Sequence, residues 1–183
     1  MGQKRAATID DLWKVEGKAE IVNGELVLMS AAGYRHGRVS LEIAASLLEY
    51  GKRTGRGNAL PDNVGFIVDL PHRRSFSPDA AFATQPVTDG FVAGAPVFAV
   101  EVRSPDDCGP AAEHAMADKR ADYFAAGTLV VWDVDGLRGH VVRAYRASDP
   151  GVPVAFHRGD RAHAEPALPG WSMPVDDLFP TDD

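Results

Sequence analysis

The spacing of apolar and polar positions changes several times along the chain, and each change marks an element. Thr8 before Ile9-Asp10-Asp11-Leu12-Trp13 has the form of a helix N-cap and a short helix. In residues 19–29, AEIVNGELVLM, two alternating apolar segments flank Asn23-Gly24, a pair suited to a two-residue hairpin turn. From Tyr34 to Tyr50, Val39, Leu41, Ile43, Ala44, Leu47 and Leu48 recur at helical spacing, with Gly51 as the stop. A glycine-rich basic loop follows, then strands at 59–60, 64–70 and 80–83. The most continuously apolar strand spans 96–102, and Glu101 is set near its end, before the turn Ser104-Pro105-Asp106-Asp107. Residues 111–126 have helical period and end at Gly127. Two strands, 129–134 and 140–145, form a hairpin about Asp135-Gly136, and the tail reads as loops with one or two short strands.

This order predicts an α/β (α+β) chain, a central mixed β-sheet flanked by helices with an N-terminal β-hairpin. The strand–helix–strand order across 97–134 suits a parallel crossover unit. The 183 residues, 45% of them hydrophobic, can bury one core, and no linker-like stretch divides them, so a single domain over 1–183 is expected. No apolar run is long enough to span a membrane. The N-terminus lacks an apolar signal region, and the lone Cys108 excludes an internal disulfide, so the expected location is cytoplasmic.

The net charge of −7 argues against a general nucleic-acid coat, because sequence-independent affinity comes from neutralising phosphates. Two local segments run against that balance: Lys52, Arg53 and Arg56 in the loop 51–57, and Arg73 and Arg74 after His72. They are either solvated loops or a rim that contacts phosphates.

Asp79, introduced by Ser77-Pro78, precedes one short strand, and Glu101 closes the next strong one. Neighbouring strands lie about 4.8 Å apart, so carboxylates at matching ends can share one divalent cation. Such a cation, when it works on phosphates, takes one or two carboxylates and completes its shell with water. Each acid taken alone reads more simply as a turn cap or a solvated strand end; it is the pair that points to a cation. On a helical wheel of 111–126, Ala112, Ala115, Met116, Tyr123 and Ala126 form one stripe with Lys119 at its centre. An ammonium there either snorkels to the surface or points at fixed negative charge, since unpaired burial is costly.

Ser77-Pro78-Asp79, the run from Pro96 through Glu101 to Pro105, Lys119-Arg120-Ala121-Asp122-Tyr123 and Val131-Trp132-Asp133 together resemble the Uma-two family. This is a former domain of unknown function whose members are expected to be restriction endonucleases of the PD-(D/E)XK nuclease superfamily. Glu20 to Leu26, His36 to Val39 and Leu168 to Val175 extend the resemblance over nearly the whole chain, in the same order. Each motif is weak alone; the ordered set is specific.

The resemblance implies a restriction-endonuclease-like core with a Mg2+ (or Mn2+) site and DNA as substrate. It makes Asp79 and Glu101 metal ligands. Glu25 or Glu20, in the hairpin, joins them as a further ligand, and His36 matches a family His-Gly. The superfamily lysine usually lies two residues after the second acid; Arg103 stands there, and Lys119 matches the family's lysine on the following helix.

Lys119 would orient a water or stabilise developing charge. Arg103 shares the side of its strand with Glu101 but stays charged and cannot serve as a base. Tyr123 is either a site hydrogen-bond partner or a core aromatic. His36 is a phosphate contact, an acid/base, or a residue that merely caps or packs. Three readings follow: a metal-dependent endonuclease acting on DNA, a catalytically inactive nuclease-fold binding or regulatory protein, and a hydrolase of another phosphate substrate. Cleavage of both strands of a duplex would favour a homodimer, with apolar residues of 140–156 at its interface.

Overall fold

The computed structural model describes residues 5–179. Its first helix, α1 (Ile9–Leu12), begins with a reciprocal cap: the Thr8 side chain accepts from the Asp11 N–H, and the Asp11 carboxylate accepts from the Thr8 N–H. Strands β1 (Ala19–Val22) and β2 (Glu25–Leu28) pair antiparallel about Asn23 and Gly24, whose φ angles of 52° and 75° are those a primed hairpin turn requires.

Helix α2 (Tyr34–Thr54) runs past Gly51 and stops at Gly55, with φ 65°. Gly51 is there for proximity rather than termination. A Cβ at that position would stand 2.9 Å from the Gly57 carbonyl oxygen and 3.3 Å from the Phe82 ring. Lys52 and Arg53 therefore lie in the last helical turn, where cations face the negative end of the dipole.

The chain continues through β3 (Asn58–Pro61), β4 (Phe66–Ile67), β5 (Ser75–Phe76), β6 (Ala80–Ala83), β7 (Val92–Ala93) and β8 (Phe98–Val102). Then come α3 (Pro110–Ala125), β9 (Val130–Asp135), β10 (Val141–Arg146), β11 (Asp149–Phe156), β12 (Arg161–His163) and β13 (Ser172–Pro174). The strand expected over 64–70 contracts to β4, which joins β5 and β7 in a small separate sheet.

The central sheet has six strands in the order β11-β10-β9-β8-β6-β3. Strands β8 and β9 are parallel, with α3 as their crossover, and the remaining neighbours are antiparallel. Strict alternation sends the two faces of each inner strand to different cores. Phe98, Val100, Val102, Val130, Trp132 and Val134 join α2 residues Val39, Ile43 and Leu47 on one face. Ala81, Ala99 and Val131 face Tyr123 of α3, with Phe66 and Phe76, on the other. Asp79, Glu101 and Asp133 share the parity of this second face, so three acids are delivered to the α3 side of a sheet buried on both faces.

The tail holds more strand than the sequence suggested. Strand β11 spans eight residues despite Pro150, Gly151 and Pro153. It lies at the sheet edge, where the missing proline N–H breaks no ladder bond. Among the described residues no helix is long and apolar enough to cross a membrane.

Candidate active site

The register Ala80↔Val100 between β6 and β8 sets Asp79 beside Glu101. The Asp79 N–H donates to the Val100 carbonyl at 2.9 Å, and Asp79 Oδ2 accepts from the Val102 N–H at 2.6 Å. Proline 78 and this backbone bond hold the carboxylate still at the mouth of the sheet. Asp79 and Glu101 line one cavity of about 690 Å3, shared with Lys18, His36, Lys119 and Arg103.

Lys119 comes down onto this floor from α3. Its Nζ lies 2.9 Å from Glu101 Oε2 and 2.9 Å from Glu20 Oε1. Burial alone would lower the lysine's pKa, but Glu101 and Glu20 overcome it and push the group well above its ordinary range. Lys119 is therefore a permanent cation near neutral pH. Glu101 shifts the opposite way. Burial is the largest influence and raises its carboxyl; Lys119 opposes, while Asp79 and Glu20 add to the rise, leaving it at about 7. The Glu101 side chain keeps 27% of its surface exposed toward the cavity.

Tyr123 combines two roles. Its ring is fully buried and stacks on Phe76 at a centroid distance of 4.0 Å, and its hydroxyl donates to Glu101 Oε1 at 2.6 Å. Burial first, then Glu101, raise the phenol above its usual range, so it stays a donor.

Of the two hairpin acids, Glu20 is the one at the site. It is 2% exposed and receives Lys119, the Ser77 N–H at 2.9 Å and Arg73 Nη1 at 2.5 Å. Burial works to raise its carboxyl; Lys119 and Arg73 prevail and hold it below the ordinary carboxylate range. Neither hairpin acid lines the cavity itself; Glu20 joins the site through Lys119, whereas Glu25 is exposed at the start of β2.

Arg73 departs from its expected place on a basic rim. It is 7% exposed and paired with Glu20 and, at 2.7 Å, with Asp122 of α3. The reason is the isolated bridge Val22↔Arg73, which pulls the turn under the hairpin. His72 Nε2 caps the far oxygen of Asp122 at 2.7 Å. Arg74, Lys52, Arg53 and Arg56 are exposed, and Arg74 pairs with Asp69 at 2.9 Å.

Arg103 does share the cavity side with Glu101, but its guanidinium grips Asp133 through two bonds of 2.7 and 2.8 Å and also engages Glu113 of α3. The charge next to Glu101 is thus Lys119, and Arg103 ties the strand to the helix. Sequence reasoning missed Lys18. Its Nζ bridges Asp79 at 2.5 Å and Asp62 at 2.7 Å. Lys18 lies two residues before Glu20, so strand period places both on one side, a signal present in the sequence. His36 Nε2 stands 3.0 Å from Asp79 Oδ2, yet neither buried ring nitrogen has a hydrogen-bond partner among the described residues. No three or more His, Cys, Asp or Glu side chains converge as a ready cation cluster among the described residues.

A mixed sheet that presents two strand-end carboxylates and a helix-borne lysine at one cavity defines a nuclease-like α/β protein. The family described as "Putative restriction endonuclease", Uma2, matches residues 10–176, and the chain belongs to that family. Among solved structures it resembles the crystal structure of a "putative nuclease belonging to DUF820" from Anabaena variabilis. The two are 16% identical over 94% of this chain and 97% of that one, with a TM-score of 0.74. At that identity the likeness speaks for the fold. No curated protein matches the chain.

Proposed function

We propose that this chain is an endodeoxyribonuclease that hydrolyses DNA phosphodiester bonds with Mg2+ or Mn2+, Asp79 and Glu101 holding the ion. The observation that carries the reading is the pairing of Glu101 with Lys119 at 2.9 Å, beside Asp79, in one cavity.

The residues fit such an ion by charge and donor type. Glu20, Asp62, Asp79, Glu101 and Asp122 are five carboxylates, set against Lys18, Arg73 and Lys119, so with the histidines neutral the cluster carries two surplus negative charges. Each oxygen of Glu101 accepts one protein donor and keeps a lone pair. Hard oxygen donors from two carboxylates, with water completing the shell, suit Mg2+ or Mn2+. When bound, the ion would make a water nucleophilic near neutral pH and polarise a phosphoryl oxygen.

The chain's own groups supply the rest. Lys119 has three N–H protons and two carboxylate partners, which leaves one to donate to a phosphoryl oxygen as negative charge builds there. Its raised pKa assigns it to charge stabilisation rather than to proton abstraction. Tyr123 orients the Glu101 carboxylate, and Glu20, held by Arg73 and the Ser77 N–H, orients Lys119.

A second reading, an inactive nuclease-fold binding protein, is favoured by one specific feature: Lys18 already sits on Asp79 as Lys119 sits on Glu101. Plasmid cleavage separates the two. Endonuclease chemistry gives Mg2+- or Mn2+-dependent nicking that is absent in folded Asp79→Ala and Glu101→Ala proteins. Cleavage that persists in Glu101→Ala removes the site assignment, and a wild-type protein that neither cleaves nor binds either ion by calorimetry leaves the binding-protein reading.

A further inference from the structure

The cavity is charged on its floor and apolar on its walls. Helix α3 brings Ala112, Ala115 and Met116 into the lining, one to two turns before Lys119 on the same stripe. That half of α3 is only partly covered by protein: the buried residues of the helix are Asp122 and Tyr123, Ala112 and Met116 are half-buried, and Ala115 is exposed. The segment joining β2 to α2 supplies further apolar lining through Met29, Ala32 and Tyr34, and Tyr34 is 85% exposed. Aromatic and thioether surface contiguous with a lysine-bearing floor calls for an occupant with an apolar planar part joined to an anionic part.

Building on the nuclease reading, we propose that the cavity receives an unpaired base of a DNA strand, with the adjoining backbone phosphate on the floor beside Lys119. A paired base offers only its edges, in the grooves. Its faces become available to side chains when it is single-stranded or turned out of the stack. Base faces then stack on aromatic side chains without regard to sequence. A volume of about 690 Å3 lies within the range of pockets that enclose one small organic ligand. Lys18, Lys119, Arg103 and Arg120 line the same space, each paired with a carboxylate, so the phosphate meets the third N–H of Lys119 with a divalent ion bound beside it. The net charge of −7 does not favour holding a duplex by a general basic surface.

The test is fluorescence anisotropy with the full chain and three labelled DNAs in Ca2+: a short single strand, the same strand with one abasic position moved along it, and the blunt duplex. The single strand binds at least about tenfold tighter than the duplex, and an abasic position at the subsite weakens binding about tenfold, the worth of one stacked base. Tyr34→Ala and Met116→Ala proteins retain their melting temperatures and lose the discrimination between intact and abasic strands. Equal binding of intact and abasic strands by the wild type overturns the proposal, as does discrimination that survives in both variants or failure of every strand to bind. Duplex cleavage in Mg2+ is measured alongside. Cleavage without single-strand preference leaves the hydrolase reading and removes the base subsite; single-strand preference without cleavage does the reverse.

Discussion

The Lys119 ammonium meets the Glu101 carboxylate at 2.9 Å across eighteen residues of sequence, because α3 returns antiparallel over the strand it has just left. A lysine on the apolar stripe of a helix is thereby matched to an acid in an apolar strand. Removing either group leaves the other's charge buried. Lys119→Ala should reduce cleavage about 100-fold or more, as loss of one preorganised charge-stabilising donor does. It should also destabilise the fold by about 3 kcal/mol, the low end for breaking a buried pair, since both partners are partly exposed. Urea unfolding checks the coupling: Glu101→Gln placed on top of Lys119→Ala should recover part of the lost stability, and strict additivity of the two changes would contradict the pairing.

The basic residues divide into inner and outer sets. Arg73 is enclosed by Glu20 and Asp122, whereas Lys52, Arg53 and Arg56 are exposed. Arg73→Ala should cost about 3–5 kcal/mol of stability by stranding two acids. Arg53→Ala and Arg56→Ala should leave stability within about 0.5 kcal/mol. If the outer set contacts phosphates, each outer substitution should reduce the salt dependence of DNA binding by about one unit of slope. Thermal melts and salt titrations of the same proteins separate the two sets, and an unchanged slope removes the outer residues from the DNA contact.

The distinction between Glu20 and Glu25, like that between Arg73 and Arg74, depends on which side of a hairpin is covered. The Asn23-Gly24 turn was legible, because few residues tolerate two positive φ angles. Alternation in β1 was not, since Ala19, Glu20 and Ile21 are all buried and the strand has no solvent face. What covers Glu20 is the turn at Arg73, fifty-three residues away, and no local pattern encodes that contact. Strand β8 was legible from its continuous apolar run, helix α3 from a stripe that stops at Gly127, and their parallel crossover from the strand–helix–strand order. Gly51 misled because a stop and a close approach both select glycine, and β11 escaped because its prolines are tolerated only once the strand is known to lie at an edge.

Acid–base linkage should be visible without any substrate. Glu101 has its folded pKa raised from 4.5 to about 7. The folded state therefore prefers the protonated carboxyl, and this group's contribution to stability is greatest below about pH 4.5 and declines as pH rises toward 7. Glu20 acts in the other direction, since its lowered pKa contributes stability above its ordinary value that is lost on acidification. Metal-free protein should thus gain stability, on the order of 1–3 kcal/mol, on going from pH 7.5 to pH 5 and lose it at lower pH. Glu101→Gln should abolish the rise. Mg2+ or Mn2+ should raise the melting temperature more at pH 8 than at pH 5.5, because protons compete for the same oxygens; equal shifts at both values would place the ion elsewhere.

Tyr123 separates its two roles under a single-atom change. Tyr123→Phe keeps the ring that stacks on Phe76 and fills the core between α3 and the sheet, and it deletes the hydroxyl that donates to Glu101 at 2.6 Å. Stability should fall by only about 0.5–1.5 kcal/mol, the net worth of one hydrogen bond. The carboxylate, relieved of its fixed donor, becomes free to rotate about its remaining bond to Lys119, so its alignment in the cavity is lost. Cleavage should then fall by about tenfold, expressed in kcat rather than KM, because the hydroxyl orients Glu101 and does not face the substrate. Tyr123→Leu should damage both quantities, since it also removes the aromatic packing. A Tyr123→Phe protein with full activity would make the residue a core aromatic whose hydroxyl is incidental, and would leave Lys119 as the one side chain that fixes Glu101.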